Sequence, residues 1–237
     1  MKLSILIPVY NEENTILEVL KRLDSVSIKD FTKEIIVIDD GSSDKTPDKI
    51  LNSEFNKSIK YIKHQINKGK GTAIHSGIKA ASGHYVLIQD ADLEYNPKDI
   101  NTLLEPIRNN ESKVVYGTRL NRWPNLKKDE KTFQFLVHYL GNRFLSLLTT
   151  ILYGQWITDM ETGYKLFPKS ALKKFNLKAK GFDFEPEITS KLLKRGYKIK
   201  EVSINTNPRG YNEGKKLNTI RDGILALLSL LKYRFID

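Results

Sequence analysis

Three acidic side chains follow a short apolar run near the middle of the chain. His84–Ile88 has the pattern of a buried strand, and Asp90, Asp92 and Glu94 follow at every second position. Side chains two apart on an extended backbone point the same way, so these carboxylates are expected to converge where the strand ends. Clustered anions repel each other and lose hydration, and a divalent cation offsets both effects. Since all the ligands are oxygens, the pattern predicts a Mg²⁺ or Mn²⁺ site; a solvated acidic turn is the plainer alternative.

Apolar strand patterns alternate with helical patterns around this acidic segment. A helix with one apolar stripe follows the first strand, and a helix of small residues follows the third. Such alternation predicts an α/β fold with a mostly parallel central sheet flanked by helices. The predicted strands of the first half, besides the central one, are Leu3–Val9, Glu34–Ile38, Ile59–Ile62 and Lys113–Gly117.

The composition of the chain limits the classes of molecule that it is expected to bind. The chain has 237 residues, no cysteine and a formal net charge of +11, which excludes thiolate metal sites and favours nucleotides, phosphorylated lipids, an anionic membrane surface or nucleic acid. The two longest apolar stretches fall short of the roughly 20 residues that span a bilayer, and no signal peptide is evident. We therefore expect a cytoplasmic protein, peripheral at the inner face of a membrane.

The second half has a different character. Asn121–Lys131 is polar and basic, which predicts a mobile loop, and Phe133–Tyr153 predicts a long helix rich in large apolar residues. Asn207–Lys216 is a second basic loop. The final segment, Leu217–Phe235, places apolar residues at helical spacing, which fits either packing on the core or lying on a membrane surface. We expect one domain over residues 1–237, with a first half (1–119) and a basic, amphipathic second half (120–237).

Several familiar nucleotide-binding motifs are absent from the sequence. The first strand is followed by Pro8-Val9-Tyr10-Asn11-Glu12 rather than by the glycine-rich turn of a dinucleotide-binding domain, and no P-loop string occurs. The lysines are scattered, and no groove-reading helix or aromatic platform is evident, so nucleic acid is not an expected partner.

Four segments in order now identify a family. Pro8–Glu12, Asp39–Asp44, Asn67–Gly71 and Gln89–Asp92 together resemble the nucleotide-sugar half of family 2 glycosyltransferases with the GT-A fold. The resemblance covers nearly the whole chain and is greatest to polyprenyl-phosphate enzymes such as dolichyl-phosphate mannosyltransferase. It implies sugar transfer from a UDP- or GDP-linked donor to a polyprenyl or dolichyl phosphate, with Mg²⁺ or Mn²⁺.

The resemblance also assigns roles to residues. Asp92 is expected to hold the cation that bridges the diphosphate, and Arg119 to meet the acceptor phosphate. Asp159 and Glu161 lie in a segment similar to the family's acceptor side, and Arg209 and Lys215 in a basic loop similar to one that closes over the site. The residues expected to contact the donor are Pro8, Tyr10, Glu12, Asp39, Asp40, Lys68, Gly69, Lys70, Gly71, Asp90, Ala91, Arg209 and Lys215.

The identity of the acceptor decides the catalytic role of two carboxylates. A lipid phosphate is already an anion and can attack unaided, with inversion, leaving Asp159 and Glu161 to orient groups. A glycan hydroxyl must lose a proton, and Asp159 or Glu161 is then the base. On this interpretation Asp159→Asn is nearly silent only for a phosphate acceptor. An inactive nucleotide-sugar-binding relative is a third alternative; the sugar and the oligomeric state, a homo-oligomer included, stay open.

Overall fold

Seven strands form one central sheet. The computed structural model describes residues 1–120, 133–173, 175–207 and 219–236. Along the sheet the strands lie in the order β3-β2-β1-β4-β6-β5-β7. In chain order they are β1 (Lys2–Val9), β2 (Thr32–Asp39), β3 (Ile59–Lys63), β4 (Tyr85–Ile88), β5 (Val114–Thr118), β6 (Lys165–Pro168) and β7 (Ile199–Ser203).

The sheet is mostly parallel, as the alternation predicted. β1 pairs in parallel with β2 and β4, β2 with β3, and β5 with β7. Strand β6 runs antiparallel between β4 and β5. The second half of the chain thus inserts a strand into the sheet that the first half builds, which joins the two halves through the backbone hydrogen bonds of one sheet.

Helices cover both faces of the sheet. One apolar cluster packs α1, α2 and α4 against one face, and a second packs α3, α5, α6, α7 and α8 against the other. The alternation of side chains along β1 shows this division, because Leu3, Ile5 and Ile7 join the first cluster while Leu6 joins the second. In chain order the helices are α1 (Ile16–Ser25), α2 (Thr46–Leu51), α3 (Lys70–Ala80), α4 (Ile100–Arg108), α5 (Phe133–Tyr153), α6 (Lys169–Leu172), α7 (Phe184–Lys194) and α8 (Thr219–Phe235), with short 3₁₀ turns at Glu54–Lys57 and Pro97–Asp99.

The last helix has one side packed on the core and another side exposed. Ala226, Leu230 and Tyr233 are buried against the core, whereas Leu228 and Phe235 are 55% and 80% exposed. Helix α8 packs against α5 and α7. Among the helices described, none combines the length and the hydropathy that crossing a membrane requires.

Strand direction gathers the polar segments at one edge. The carboxyl ends of β1, β2, β4 and β5 meet there because these strands are parallel, and the amino end of the antiparallel β6 lies at the same edge. The segment that precedes β6 therefore comes beside Asp90 and Arg119. The polar segments singled out in the sequence analysis lie at the edge where open α/β sheets bind ligands.

A close backbone approach explains two glycines at the start of α3. A Cβ on Gly69, whose φ is +92°, would lie 2.4 Å from the Lys180 carbonyl oxygen, and one on Gly71 would lie 2.5 Å from that of Ala179. Thr72 N–H also donates to Lys180 O at 3.1 Å. The segment before α7 is thus seated directly on the start of α3, and only glycine leaves room for it.

We expect Gly71→Ala to lower the free energy of unfolding by about 1–3 kcal/mol, since the added methyl meets backbone that cannot withdraw. Gly141→Ala is the matched control, because Gly141 is also helical and a Cβ there meets nothing within 4 Å. That change should stabilise the helix by up to about 1 kcal/mol. Urea denaturation followed by circular dichroism measures both, and a Gly71→Ala protein as stable as the parent would contradict the close approach.

Candidate active site

A pocket of about 370 Å³ opens at this edge of the sheet. It brings together residues from the ends of β1, β2, β4 and β5, from the start of α3 and from the segments before β6 and α7. Among the residues named from the sequence, those that line it are Pro8, Tyr10, Glu12, Asp40, Gly69, Lys70, Asp90, Ala91, Asp92, Glu94, Arg119 and Glu161.

Four of the named residues lie near the pocket without lining it. Asp39, Gly71 and Asp159 are buried behind its wall, and Lys68 is exposed beside it. Arg209 and Lys215, expected in the closing loop, fall outside the described residues, as does the expected mobile loop Asn121–Lys131.

The two aspartates after β2 have separate tasks. Asp39 is fully buried and accepts hydrogen bonds from Tyr61 Oη at 2.7 Å and from Ser42 N–H at 2.8 Å, so it holds the turn that follows the strand. Burial, and next the hydrogen bond to Asp39, raise the pKa of the Tyr61 phenol. The Asp39 carboxylate is therefore committed to the protein itself.

The side chain of Asp40, which follows β2, lies at the amino end of α3. Its carboxylate accepts from the backbone N–H groups of Lys68 at 3.1 Å and Gly69 at 2.6 Å, and it lies 2.6 Å from His64 Nδ1. His64 Nε2 in turn lies 2.9 Å from Ser76 Oγ. These two N–H groups at the helix start are therefore satisfied by Asp40 rather than left to bind a phosphate.

Lys70 joins two carboxylates on the pocket floor. Its Nζ lies 2.9 Å from Asp90 Oδ1 and 3.0 Å from Glu185 Oε1. Burial opposes the charge of Lys70, but Asp90 and Glu185 outweigh it and raise the pKa of the ammonium well above its ordinary value. The ring of Phe182 lies 5.7 Å from the same nitrogen.

The three acidic residues after β4 do not converge as expected. Strand β4 ends at Ile88, and Glu94 N–H donates to Asp92 Oδ1 at 3.1 Å in a tight turn where Leu93 has a φ of +65°. The backbone is therefore not extended, so alternate side chains do not share a direction. Within the described residues, no three acidic or histidine side chains form a group that could hold a metal ion.

Asp90 is set apart from the other two carboxylates. One of its oxygens binds Lys70, and the other is so close to Gly163 that a Cβ there would lie 2.4 Å away. Asp92 and Glu94 also line the pocket. These two carboxylates supply the hard oxygen ligands that Mg²⁺ and Mn²⁺ prefer, so the donor set fits such an ion with ligand oxygens completing the coordination.

Arg119 enters the pocket from the end of β5, held by a forked ion pair. Its Nε and Nη2 each donate to the Asp159 carboxylate at 2.8 Å, and its backbone N–H adds a third bond at 2.9 Å. Burial acts to raise the pKa of Asp159, but the charge of Arg119 outweighs it and lowers that pKa. With both oxygens engaged and no exposed surface, Asp159 is placed to position Arg119 rather than to take a proton from a ligand.

This pairing changes how Asp159→Asn can be interpreted. The sequence suggested that the substitution would be nearly silent for a phosphate acceptor. Because it also breaks the fork that orients Arg119, it should impair transfer to either class of acceptor. Glu161 is the other residue considered as a base, and it does line the pocket.

Several pocket residues were not singled out from the sequence. Tyr95 stacks on Tyr164 at a centroid distance of 4.9 Å, and its hydroxyl accepts from Gly163 N–H at 2.8 Å. Glu185 lies in the first turn of α7. The signal that could have found it was its charge at a position that a core-facing helix fills with apolar residues. His138 and Phe182 also line the pocket.

Comparison with known proteins agrees with this geometry. The profile of the family described as Glycosyl transferase family 2 matches residues 4–175. The chain is 30% identical over 98% of its length to a dolichol-phosphate mannosyltransferase of Pyrococcus furiosus, of which it spans 64%. It is 32% identical over 91% of its length to a UDP-N-acetylglucosamine–dolichyl-phosphate N-acetylglucosaminyltransferase of Methanococcus voltae, of which it spans 90%.

A solved structure matches the whole fold. Glucosyl-3-phosphoglycerate synthase of Mycobacterium tuberculosis superposes with a TM-score of 0.72 at 20% identity, over 100% of this chain and 81% of that one. That crystal contained Mn²⁺, UDP and glucosyl-3-phosphoglycerate, and another contained Mg²⁺ and UDP. The likeness confirms the GT-A fold.

We expect Asp159→Asn to lower the free energy of unfolding by about 3 kcal/mol at pH 7, because it leaves Arg119 partly buried beside an uncharged partner. Ionised Asp159 has a lowered pKa in the folded state, so its contribution is complete above the ordinary value of 3.8 and is lost as the pH falls below it.

Glu18→Gln is the control for this prediction, since it breaks an ion pair of similar length, 2.7 Å against 2.8 Å, between two side chains that are nearly half exposed. Its denaturation midpoint should hardly move. Equal midpoints for the two variants at pH 7 would show that the buried fork is not stabilising.

Proposed function

The chain belongs to glycosyltransferase family 2 and is a glycosyltransferase with the GT-A fold; from that premise we propose that it moves a sugar from a nucleoside diphosphate sugar to a polyprenyl phosphate at a membrane surface. The observation that carries the proposal is a shared helix. Helix α5 places His138 in the pocket wall and exposes a stripe of large apolar residues on its outer surface. A lipid lying along that stripe would have its phosphate at the pocket.

The donor belongs on the β1 and β2 side of the pocket. Pro8, Tyr10, Glu12 and Asp40 line that side, and nucleoside recognition needs such a mixture of apolar surface and polar groups. One relative is named for a UDP-linked donor, and the solved neighbour was crystallised with UDP. These names support a UDP- or GDP-linked sugar as the donor.

Asp92 and Glu94 are the residues we propose to hold a divalent cation. A cation bound there would act as a Lewis acid and stabilise the negative charge that develops on the departing diphosphate. Lys70 positions Asp90 at the same edge, and Asp90 packs on Gly163, so the floor beneath that charge is rigid.

Arg119 is the cation that we propose to meet the acceptor. Asp159 fixes its guanidinium, and the charge of Arg119 faces a pocket that opens beside α5. An acceptor phosphate is an anion and attacks the anomeric carbon without giving up a proton. The glycosidic bond forms on the face opposite the diphosphate, which leaves with its bonding electrons, so the configuration inverts.

The apolar face consists of Val137, Leu140, Phe144, Leu147 and Ile151 of α5 with Ile224, Leu225, Leu228, Leu231 and Phe235 of α8. These residues recur at helical spacing on two helices that pack together, and their exposed fractions run from 38% to 80%. Apolar surface of this extent is typical of an interaction site.

Charge favours a lipid partner for the apolar face. Lys232 and Arg234 are exposed on α8 close to it, and the chain carries +11 overall. Basic side chains around an apolar face match an anionic leaflet, and the cytoplasmic leaflet carries the anionic lipids. We therefore propose peripheral attachment at that leaflet.

Asp92→Asn should abolish sugar transfer, with at least about a hundredfold loss, because metal ligation supplies several kcal/mol to the leaving group. It should also remove the rise in melting temperature that UDP or GDP produces with Mn²⁺. Asp99→Asn, five positions after Glu94 and outside the pocket lining, is the control. Wild-type activity that survives a chelator would refute the metal role.

Phe144→Glu combined with Leu228→Glu should release the protein from vesicles. We expect wild type to float with vesicles of anionic phospholipid at low salt and to be partly released at high salt, since surface charge attraction is screened. Leu51→Glu, at a site 45% exposed on α2, is the control and should float like wild type. Wild type that never floats, or a double variant that floats fully, would exclude the apolar face as the attachment surface. A wild-type dimer that the double variant disrupts would instead assign it to self-association.

A further inference from the structure

Glu161 lies in the pocket wall on a segment that is held from both sides. Met160 N–H donates to Ser146 Oγ at 3.0 Å, and Gly163 N–H donates to Tyr95 Oη at 2.8 Å. The backbone on each side of Glu161 is thus bonded to a different part of the fold. The backbone therefore holds Glu161 at the pocket wall, where the residue is partly exposed.

The nearby cations are committed to other groups. Lys70 bridges Asp90 and Glu185, and the guanidinium of Arg119 is engaged by Asp159. Arg119 still acts to lower the pKa of Glu161, but its effect is smaller than those of burial and of the charge of Glu185. Its Oε1 is buried and accepts no hydrogen bond from any residue that the structure describes.

Lys165 is the third cation near Glu161, and its ammonium contacts other groups. Its Nζ donates to Met160 O at 2.7 Å and lies 4.0 Å from the centre of the Tyr116 ring. Burial lowers the pKa of Lys165 to about 8 despite the acidic side chains near it. The charge of Lys165 acts to lower the pKa of Glu161, but burial and the charge of Glu185 outweigh it.

Glu185 adds repulsion from the other side. It is 3% exposed and lines the pocket, and its Oε2 also has no hydrogen-bond partner among the described residues. Burial, and next the charge of Glu185, raise the pKa of Glu161 to about 8. Two carboxyls with one unsatisfied oxygen each, facing one pocket, are best accommodated when one of them is neutral.

Building on the transferase function proposed above, we propose that Glu161 carries a proton in the working enzyme and donates it in a hydrogen bond to an anionic acceptor. A neutral carboxyl is a donor, so it complements an oxygen that bears negative charge. It cannot deprotonate a hydroxyl. Glu161 then makes the site specific for a phosphate monoester and rejects an alcohol of the same shape.

The chemistry balances without a base. The nucleophile is a phosphate oxygen, which forms the new bond to the anomeric carbon while the bond to the diphosphate breaks. The proton of Glu161 stays on its carboxyl and is shared with a second phosphate oxygen, opposite the positive charge of Arg119. Lipid-linked and water-soluble phosphate monoesters share this chemistry, so the experiment must separate them.

Transfer should be measured with three acceptors, a short polyprenyl phosphate, 3-phosphoglycerate and the unphosphorylated prenol, for wild type, Glu161→Gln and Glu161→Ala. We expect transfer to phosphate but not to the prenol. Alanine should lose about tenfold or more, the value of a hydrogen bond to a charged group, chiefly in KM for the acceptor. Glutamine keeps a neutral donor, so it should stay within about threefold of wild type.

The pH profile separates a donor from a base. Wild-type transfer should fall above about pH 8 as Glu161 ionises, whereas the glutamine variant should retain its activity there, since the acceptor phosphate is dianionic above about pH 6 in both. Equal loss in both variants at every pH, with wild-type activity that rises with pH, would make Glu161 a base and overturn the proposal. Preference for the polyprenyl phosphate or for 3-phosphoglycerate identifies the source of the phosphate.

A stability measurement tests the protonation of Glu161 without relying on transfer activity. The folded-state pKa of Glu161 is raised from 4.5, so the native protein holds a proton that the unfolded chain has released, and stability falls as the pH rises from about 5 to about 8. Glu161→Gln should flatten that fall. If wild type transfers to none of the acceptors, the proposed function fails, while parallel pH curves for the two proteins would overturn the protonation itself.

Discussion

The pocket depends on a partly buried lysine that holds together three parts of the chain. Lys70 starts α3, Asp90 follows β4, and Glu185 lies in the first turn of α7. Removing such charges from water costs several kcal/mol for each ion, and the attraction repays it only where the geometry is good and the hydrogen bonds are made. The two short ion pairs therefore fix α3, β4 and α7 relative to one another, and α7 can come so close only because Gly69 and Gly71 lack side chains.

The same constraint explains why the first and second halves of the chain act as one site. Strand β6 enters the sheet between β4 and β5, and the segment before it carries Asp159 to Arg119 and Gly163 to Asp90. Each contact joins an element of the first half of the chain to one of the second half. The pocket is thereby built across strands of one sheet rather than across a hinge.

Periodicity in the sequence was sufficient for the fold class and for the edge where the site lies. Buried strands are apolar runs, and their polar successors must gather where parallel strands end, so the positions of Tyr10, Asp40, Asp90 and Arg119 followed from local pattern. The pairing of β6 could not be predicted from local pattern, because a four-residue strand carries too little information to indicate which strands it pairs with or in which direction.

The ion-pair partners of the charged side chains were the other feature that the sequence could not predict. The alternation of Asp90, Asp92 and Glu94 was interpreted on an extended backbone, whereas the positive φ of Leu93 turns the chain there. That Asp90 binds Lys70, or that Asp159 binds Arg119, depends on contacts between residues that are 20 and 40 positions apart. Only the three-dimensional arrangement separates an acid that holds the protein together from one that faces a ligand.

The charges of the pocket finally impose a condition on its ligand. Among the residues that the structure describes, seven carboxyl groups line it against the two cations Lys70 and Arg119, although the chain as a whole is strongly basic. Asp40 is compensated by backbone N–H groups, and Asp90 and Glu185 by Lys70.

A proton on Glu161 would remove one more negative charge from the pocket wall. The remaining carboxylates disfavour an anionic nucleotide unless positive charge balances them. A divalent cation held by Asp92 and Glu94, as proposed above, would supply such charge beside the leaving group.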